Sequence, residues 1–397
     1  MFSARQEKQV DMGNSRLRRP LCYVVGAGRT RYGNLPDTLG ELLCEAIVKA
    51  LEDASMSAEE LGAIYVGNFL AGLYENQLHL NSLLWSLFPG LKAPILRVEA
   101  ACASGGLAVY EAIIGLSRYR RTLAVGVEKM TGFSVQRTTR CLASAGDAVL
   151  DQGEGVIFPA SYALVAQQHM LRYGTSLDDL AAVALKNHTN ANLNPSAHFY
   201  GKRVSLEEIR AAPMVATPLR LFDCSPISDG ASSVVLARDP VGDRAVPVRG
   251  SALANDTISL SERRELTSFQ AVQRAAAEAY QQAGIEAGDI DVAQVHDCFT
   301  IAELVEMEDL GLCKPGQAAE LTREGRTALT GDIPVNTSGG LKADGHPIGS
   351  TGVGQICELV TQLRGEAGAR QVNCTLGVAL NVGGIGGTAV VHILGCR

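Results

Sequence analysis

The chain has 397 residues, 46% of them hydrophobic and 19% charged, with 42 glycines and a formal net charge of −7. That composition describes a globular protein with ample core, sized as two or three domain-like units or one large fused core. It excludes a nucleic-acid partner, which calls for a basic face, but leaves room for an anionic small molecule held by a helix N-terminus or a few local cations.

Residues 1–20 are polar and mixed in charge and are expected to form a disordered extension; Glu7 and Asp11 count against an organelle-targeting reading. "LCYVVGAGRTRYG" then reads as an opening strand. From Thr38 to Phe69, "TLGELLCEAIVKALEDASMSAEELGAIYVGNF" is an amphipathic helix, an acidic turn and an apolar strand. "VEAACASGGLAV" reads as a strand breaking into a glycine turn before a helix, and "RTLAVGVEKM" as a buried strand ending in polar positions.

The same order returns later in the chain. "VPVRGSALANDT" answers the opening strand, "SFQAVQRAAAEAYQQAGIEAGDIDVAQVHDCF" answers the helix and strand, "PVNTSGGLKADG" repeats the SGGL, and "NCTLGVALNV" answers the second buried strand. An offset of about 230 residues is a period for duplicated domains rather than solenoid repeats. The expected organisation is therefore α/β in two halves, 21–245 and 246–397, with a site between them fed by equivalent strand-to-helix turns. Residues from about 129 to 243 have no counterpart and are expected to be a loop insertion. It contains the polar, turn-rich "KNHTNANLNPSAHFYGK" and "RLFDCSPISDGASSVVLAR", whose end is a strand returning to the first half's sheet.

The ten cysteines are scattered without a CxxC spacing, so free thiols in a reducing, cytoplasmic compartment and no metal site are expected. No signal peptide and no apolar run long enough to cross a bilayer are present, so no membrane association is expected.

Four turns carry the residues suited to chemistry. Cys102 sits at the start of the helix in "ACASGG", where the helix N-terminus favours a thiolate by about 0.3–1 kcal/mol or more; the plainer reading is a core cysteine under a tight turn, and the motif alone leaves both open. His346, in "GGLKADGHPIGSTG", precedes a proline that extends its backbone; a histidine on a glycine loop before a helix suits a base that would form an activating ion pair with a thiol. "VHDCFT" groups His296, Asp297 and Cys298 at a strand end, suited to a proton-transfer pair and short of partners for a metal. In "ALNVGGIGG", Asn381 ends a buried strand, and Gly383 and Gly384 open either a plain β-turn or a turn whose N–H groups face an oxyanion.

At these residues the chain resembles a thiolase over nearly all its length after the N-terminal extension. "ACASGG" resembles the family's nucleophile motif and "GHPIGSTG" its catalytic-histidine motif. "VHDCF" resembles the version in sterol-carrier-protein-type thiolases, where most other thiolases carry an Asn-Glu-Ala-Phe box. "KNHTNANLNP" and "CSPISDGASSVVL" are similar to that subfamily and its archaeal and bacterial acetyl-CoA acetyltransferase relatives. The resemblance implies a five-layer αβαβα fold, a homodimer or dimer of dimers, and a coenzyme A thioester as substrate with no permanently bound cofactor. It implies Cys102 as nucleophile and His346 as its activator. Asn381 stands where most thiolases have a second catalytic cysteine, and Cys298 matches the thiol that replaces it, with His296 helping an oxyanion site. Some relatives associate with a small zinc-ribbon/OB-fold protein, which makes such a protein a candidate partner.

The expected function is formation or cleavage of a 3-oxoacyl-CoA through a Cys102 acyl-enzyme. The alternatives are transfer of the acyl group to a non-CoA carbon such as an aromatic ring, and an acyl-CoA-binding scaffold subunit, which would have no need of all four reactive residues. Coenzyme A contacts are poorly marked; the resemblance implies the insertion, where Lys186, Lys202 and Arg203 are candidates and could equally be solvated surface charges.

Overall fold

The computed structural model describes residues 17–395. Residues 1–16 of the expected disordered extension lie outside the described residues; Arg18 donates its N–H to the Ala283 carbonyl at 3.0 Å.

The first half runs β1 (Cys22–Arg29), α1 (Leu39–Asp53), β2 (Ala63–Gly67), α2 (Ala71–Tyr74), α3 (Leu80–Leu87), β3 (Ile95–Val98), α4 (Ser104–Gly115) and β4 (Arg121–Glu128). The insertion follows with α5 (Val135–Ala143), α6 (Phe158–Tyr173), α7 (Leu177–Ala191), α8 (Leu206–Ala211) and the hairpin β5 (Met214–Ala216) and β6 (Leu219–Arg220), before β7 (Gly230–Ala237). The second half runs β8 (Val246–Asn255), α9 (Gln270–Ala283), β9 (Val292–Gln294), α10 (Thr300–Asp309), α11 (Ala318–Arg323), α12 (Gly340–Ala343), α13 (Ile348–Leu363), β10 (Leu376–Gly383) and β11 (Thr388–Gly395).

Nine of the strands form one sheet in the order β3-β2-β4-β7-β1-β8-β11-β10-β9, and β5 and β6 pair separately. The two halves meet at its middle, where β1 and β8 pair antiparallel from Cys22–Val248 to Val24–Val246. Outward from that seam the halves match: β7 and β11 run antiparallel to their neighbours, and β2 lies parallel to β4 as β9 does to β10. β4 and β10 are covered on both faces, so they read as continuous apolar runs rather than alternating ones.

Three apolar layers hold the helices to the sheet. Leu42, Leu43 and Ile47 of α1 pack on Val66, Leu123 and Val235 on one outer face. Val272, Ala275 and Ala279 of α9 pack on Val391 and Ile393 on the other. Between them, Ala108 and Val109 of α4 and Val353 and Ile356 of α13 bury against strands of both halves. The result is five layers, αβαβα. The two central helices cross backbone to backbone: a Cβ on Gly105 would lie 2.7 Å from the Gly349 carbonyl, and one on Gly352 would lie 2.2 Å from the Gly106 nitrogen. The glycines that follow Cys102 and His346 are therefore there to bring the two turns together.

The insertion carries four helices among its loops, two of them started by reciprocal capping boxes, Ser176 with Asp179 on α7 and Ser205 with Glu208 on α8. β7 holds in its half the place β11 holds in the other, so the part without a counterpart ends before Gly230. The polar "KNHTNAN" is the last part of α7 rather than a turn. Asn190 on it donates to the Asn336 carbonyl of the facing glycine turn at 3.0 Å, and Asn194, just beyond the helix, donates to the Ser338 carbonyl at 3.1 Å.

Candidate active site

Cys102 stands on a tight turn between β3 and α4. Ala101, just before it, is forced to φ +49°, a left-handed conformation costing about 1–2 kcal/mol for a residue with a Cβ. Ser104 holds the turn closed, accepting from the Ala100 N–H at 2.9 Å and donating to the Ala101 carbonyl at 2.6 Å. The sulfur is faced by the N–H of Gly384 and by its own N–H. Gly384, in the turn that could face an oxyanion, sits at φ +63° with its amide turned inward, and the Cys102 N–H is a second donor beside it.

Burial works against the expected ion pair with His346. Burial pushes the Cys102 thiol up to about 12, against the pull of those N–H groups. Burial also pushes His346 down to about 3. Each is taken out of water without a compensating charge, which favours its neutral form.

The partners of the two imidazoles fix opposite tautomers. The Thr351 hydroxyl lies 3.1 Å from the Pro347 carbonyl, which only a donor can satisfy. Its oxygen, 2.8 Å from His346 Nδ1, then accepts, so Nδ1 carries the proton and Nε2 offers a lone pair. His296 is the reverse. Asn381 Oδ1 accepts from the Gly106 N–H at 2.9 Å, which orients the amide. Asn381 Nδ2 then donates to the Cys102 carbonyl at 2.9 Å and to His296 Nδ1 at 3.0 Å. The proton of His296 must be on Nε2, a buried atom with no hydrogen-bond partner among the described residues. One ring is a base, the other a donor waiting for an acceptor. They stand nearly perpendicular, centroids 5.0 Å apart.

Asn381 thus stands where a second thiol was expected in most relatives, and here it ties three parts of the site together. Gly383 serves close approach: a Cβ there would lie 2.4 Å from the Ala100 carbonyl. Cys298 is buried and lines the same cavity as Cys102 and His346. Burial holds its thiol well above the ordinary range, and the neighbouring Cys102 adds to this. Asp297 beside it is structural, accepting from the Leu341 N–H at 2.7 Å and from Asn187 Nδ2 at 2.7 Å. The ligand atoms of Cys102, His296 and His346 all lie within 4.8 Å of one another. His296 presents a proton there rather than a lone pair, which suits an oxyanion and not a cation.

The cavity encloses about 410 Å³. Its walls come from both halves and from the insertion, including Met130, Phe133, Leu142, Phe158, Ile227 and Ile348. None of Lys186, Lys202 and Arg203 lines it. Lys186 is instead a buried structural cation, 2.6 Å from Glu303 with its side chain 8% exposed, so it is not presented to a ligand. Lys202 and Arg203 are exposed in the loop after α7, with Lys202 lying over the Phe199 ring.

Sequence reasoning missed Glu128, Thr351 and Asn187. Glu128 ends β4 with no exposure and accepts four bonds: Asn68 Nδ2 at 2.7 Å and the N–H groups of Leu70, Phe69 and Gly349 at 2.9, 3.0 and 3.1 Å. It pins the loop after β2 to the start of α13, beneath Cys102. The signal was available, since a carboxylate ending an apolar strand has to find buried donors.

The thiolase N-terminal domain matches residues 22–239, and the thiolase C-terminal domain-like family matches residues 252–396. The acetyl-CoA acetyltransferase of Methanothermobacter thermautotrophicus is 45% identical over 378 residues, 93% of this chain and 98% of that one. The acetyl-CoA acetyltransferase of Methanocaldococcus jannaschii is 41% identical, over 94% of this chain and 98% of that one. Among solved structures, the Ltp2-ChsH2(DUF35) aldolase superposes with a TM-score of 0.82 at 22% identity, covering 95% of this chain and 98% of that chain. Matches to both halves, and two relatives that extend across the seam between them, make this chain a member of the thiolase family and an acyltransferase.

Proposed function

We propose that the enzyme forms or cleaves a 3-oxoacyl-CoA through an acyl group carried on Cys102. The observation that supports this best is the pair of imidazoles held in opposite tautomers beside two thiols in one cavity. The relatives named acetyl-CoA acetyltransferase support acetyl-CoA as a substrate.

In synthesis, His346 Nε2 takes the Cys102 proton as the sulfur attacks the thioester carbonyl. The N–H groups of Cys102 and Gly384 receive the oxyanion, each such donor being worth about 2.7–4 kcal/mol in the transition state. The tetrahedral adduct expels the coenzyme A sulfur, which takes the proton from His346 and leaves as the free thiol. In the second half-reaction His346 takes the Cys298 proton, and the Cys298 thiolate removes an α-proton from a second acyl-CoA. The enolate oxygen is met by His296 Nε2–H and by the protonated His346, and its carbon attacks the acyl group. Collapse frees Cys102, which recovers its proton from His346. Splitting the reaction at a covalent intermediate implies ping-pong kinetics.

We also infer a homodimer or dimer of dimers. A small second protein is inferred as well, supported by the aldolase neighbour whose name couples it with ChsH2(DUF35). The deciding experiment is incubation with acetyl-CoA followed by peptide mass spectrometry. It should place an acetyl group on the Cys102 peptide, and Cys298→Ser should keep that acetylation while losing exchange of the acetyl-CoA α-protons in heavy water. Acetylation found only elsewhere, or turnover in Cys102→Ala, would sink the reading.

A further inference from the structure

Tyr162 lies on α6, in the insertion, and is fully buried. Its ring stacks on Phe299 at 4.6 Å between centroids and meets Phe269 edge-on at 6.3 Å. A phenol this deep needs a partner for its hydroxyl. Here the O–H lies 3.2 Å from the carbonyl of Gly384, the residue whose N–H faces the Cys102 sulfur. The same hydroxyl also faces the Cys298 thiol closely enough to interact with it. A phenol has one proton to give, so two acceptors compete for it.

We propose that Tyr162 is a positioning residue for proton transfer by Cys298: its hydroxyl gives its one hydrogen bond to the Gly384 carbonyl while Cys298 is a thiol, and to the sulfur when Cys298 becomes a thiolate. The proposal rests on the function proposed above. The thiolate exists from the moment the S–H bond breaks toward His346 until the α C–H bond of the acceptor breaks and the sulfur takes that proton. Tyr162 keeps its own proton throughout, so no further acid or base enters the balance.

The other ionisable groups facing Cys298 oppose that negative charge. They are Cys102 on the nucleophile turn, Asp297 next to it in the chain, and Glu306 on α10. The Tyr162 hydroxyl eases it. Burial keeps the phenol itself protonated far above neutral pH, so it donates rather than titrates. The device also links the two thiols, since one face of Gly384 serves the Cys102 sulfur and the other is released or held by Tyr162.

The test is Tyr162→Phe, which keeps the ring on Phe299 and removes only the hydroxyl. Three quantities are read with acetyl-CoA as probe: Cys102 acetylation, α-proton exchange in heavy water, and the pH profile of that exchange. Acetylation should stay within about twofold. Exchange should fall about 10- to 100-fold, the factor for losing a hydrogen bond to a charged group, and its inflection should move up by about one to two pH units. An unchanged rate and profile would overturn the proposal. So would parallel loss of acetylation, because Tyr162 would then act on the Gly384 turn alone. If the phenylalanine variant does not fold, 3-fluorotyrosine at position 162 carries the test. As a stronger donor it should move the inflection down, and an unmoved inflection would overturn the proposal. Exchange surviving in Cys298→Ser sinks the base assignment and this proposal together, whereas exchange lost there and untouched in Tyr162→Phe sinks this proposal alone.

Discussion

Replacing Asn381 by Asp changes one NH₂ group to an oxygen and reverses the chemistry of a histidine it touches. The remaining oxygen keeps the bond from the Gly106 N–H, now 2.9 Å. The new oxygen cannot donate to the Cys102 carbonyl or to His296 Nδ1, which stand 2.9 and 3.0 Å from the present nitrogen. The imidazole can satisfy it only by moving its proton from Nε2 to Nδ1. Nε2 then turns a lone pair toward the enolate, and a donor worth about 2.7–4 kcal/mol becomes a repulsion. Exchange of the acetyl-CoA α-protons, followed by NMR in heavy water, should fall about 100- to 1,000-fold. Acetylation of Cys102, which uses other donors, should fall by less than about tenfold. The facing Cys102 carbonyl would also cost about 1–3 kcal/mol of stability, read separately from urea unfolding. The same proton shift leaves three lone pairs within 4.8 Å, on Cys102, His296 and His346. Zn²⁺ should therefore inhibit Asn381→Asp at concentrations that leave the native enzyme active. Wild-type exchange in a folded Asn381→Asp protein would refute the reasoning.

Three other outcomes follow from the burial of charge. Alkylation of Cys102 by iodoacetamide should rise about tenfold per pH unit from pH 7 through pH 9, because the neutral thiol dominates until pH nears about 12; a plateau below pH 8 would restore the ion pair with His346. Lys186→Ala should cost about 3–5 kcal/mol in denaturant unfolding by stranding Glu303, with the KM for acetyl-CoA unchanged in the folded fraction; a raised KM at native stability would make Lys186 a substrate contact. Glu128→Gln should cost about 2–4 kcal/mol, since the amide turns donors against two of the four donors that the carboxylate now accepts; equal stability of the two proteins in urea would show that the loop after β2 does not depend on that carboxylate.

The halves were legible because their internal repeat leaves the same punctuation twice, a strand, SGGL and a helix, and the residues at those turns do converge. Cys102, Cys298, His346 and Gly384 line one cavity, and His296 stands behind it. What the chain order hides is who faces whom. Asn381 looked like the end of a strand beside glycines; that it sets a tautomer on His296 depends on a contact across 85 positions. Lys186 looked like a surface cation because Glu303 is far along the chain. The polar "KNHTNAN" looked like a turn because composition cannot tell amides facing water from amides facing a glycine backbone. The burial that opposes charge on Cys102 and His346 was hidden for a related reason: it is a property of the packed layers rather than of either motif.

The crossing of α4 and α13 through facing glycines carries one more consequence. Cys102 rides on the first helix, His346 precedes the second, and Asn381 bonds to the turn and first residues of α4 from the far half. No fragment ending before β8 holds a base for its sulfur, and none beginning there holds a nucleophile. During synthesis on the ribosome the thiol is made long before anything that can activate it. A chain still emerging therefore carries an ordinary exposed thiol with no acyl-transfer machinery around it, and acyl transfer switches on only when the last strands close over it.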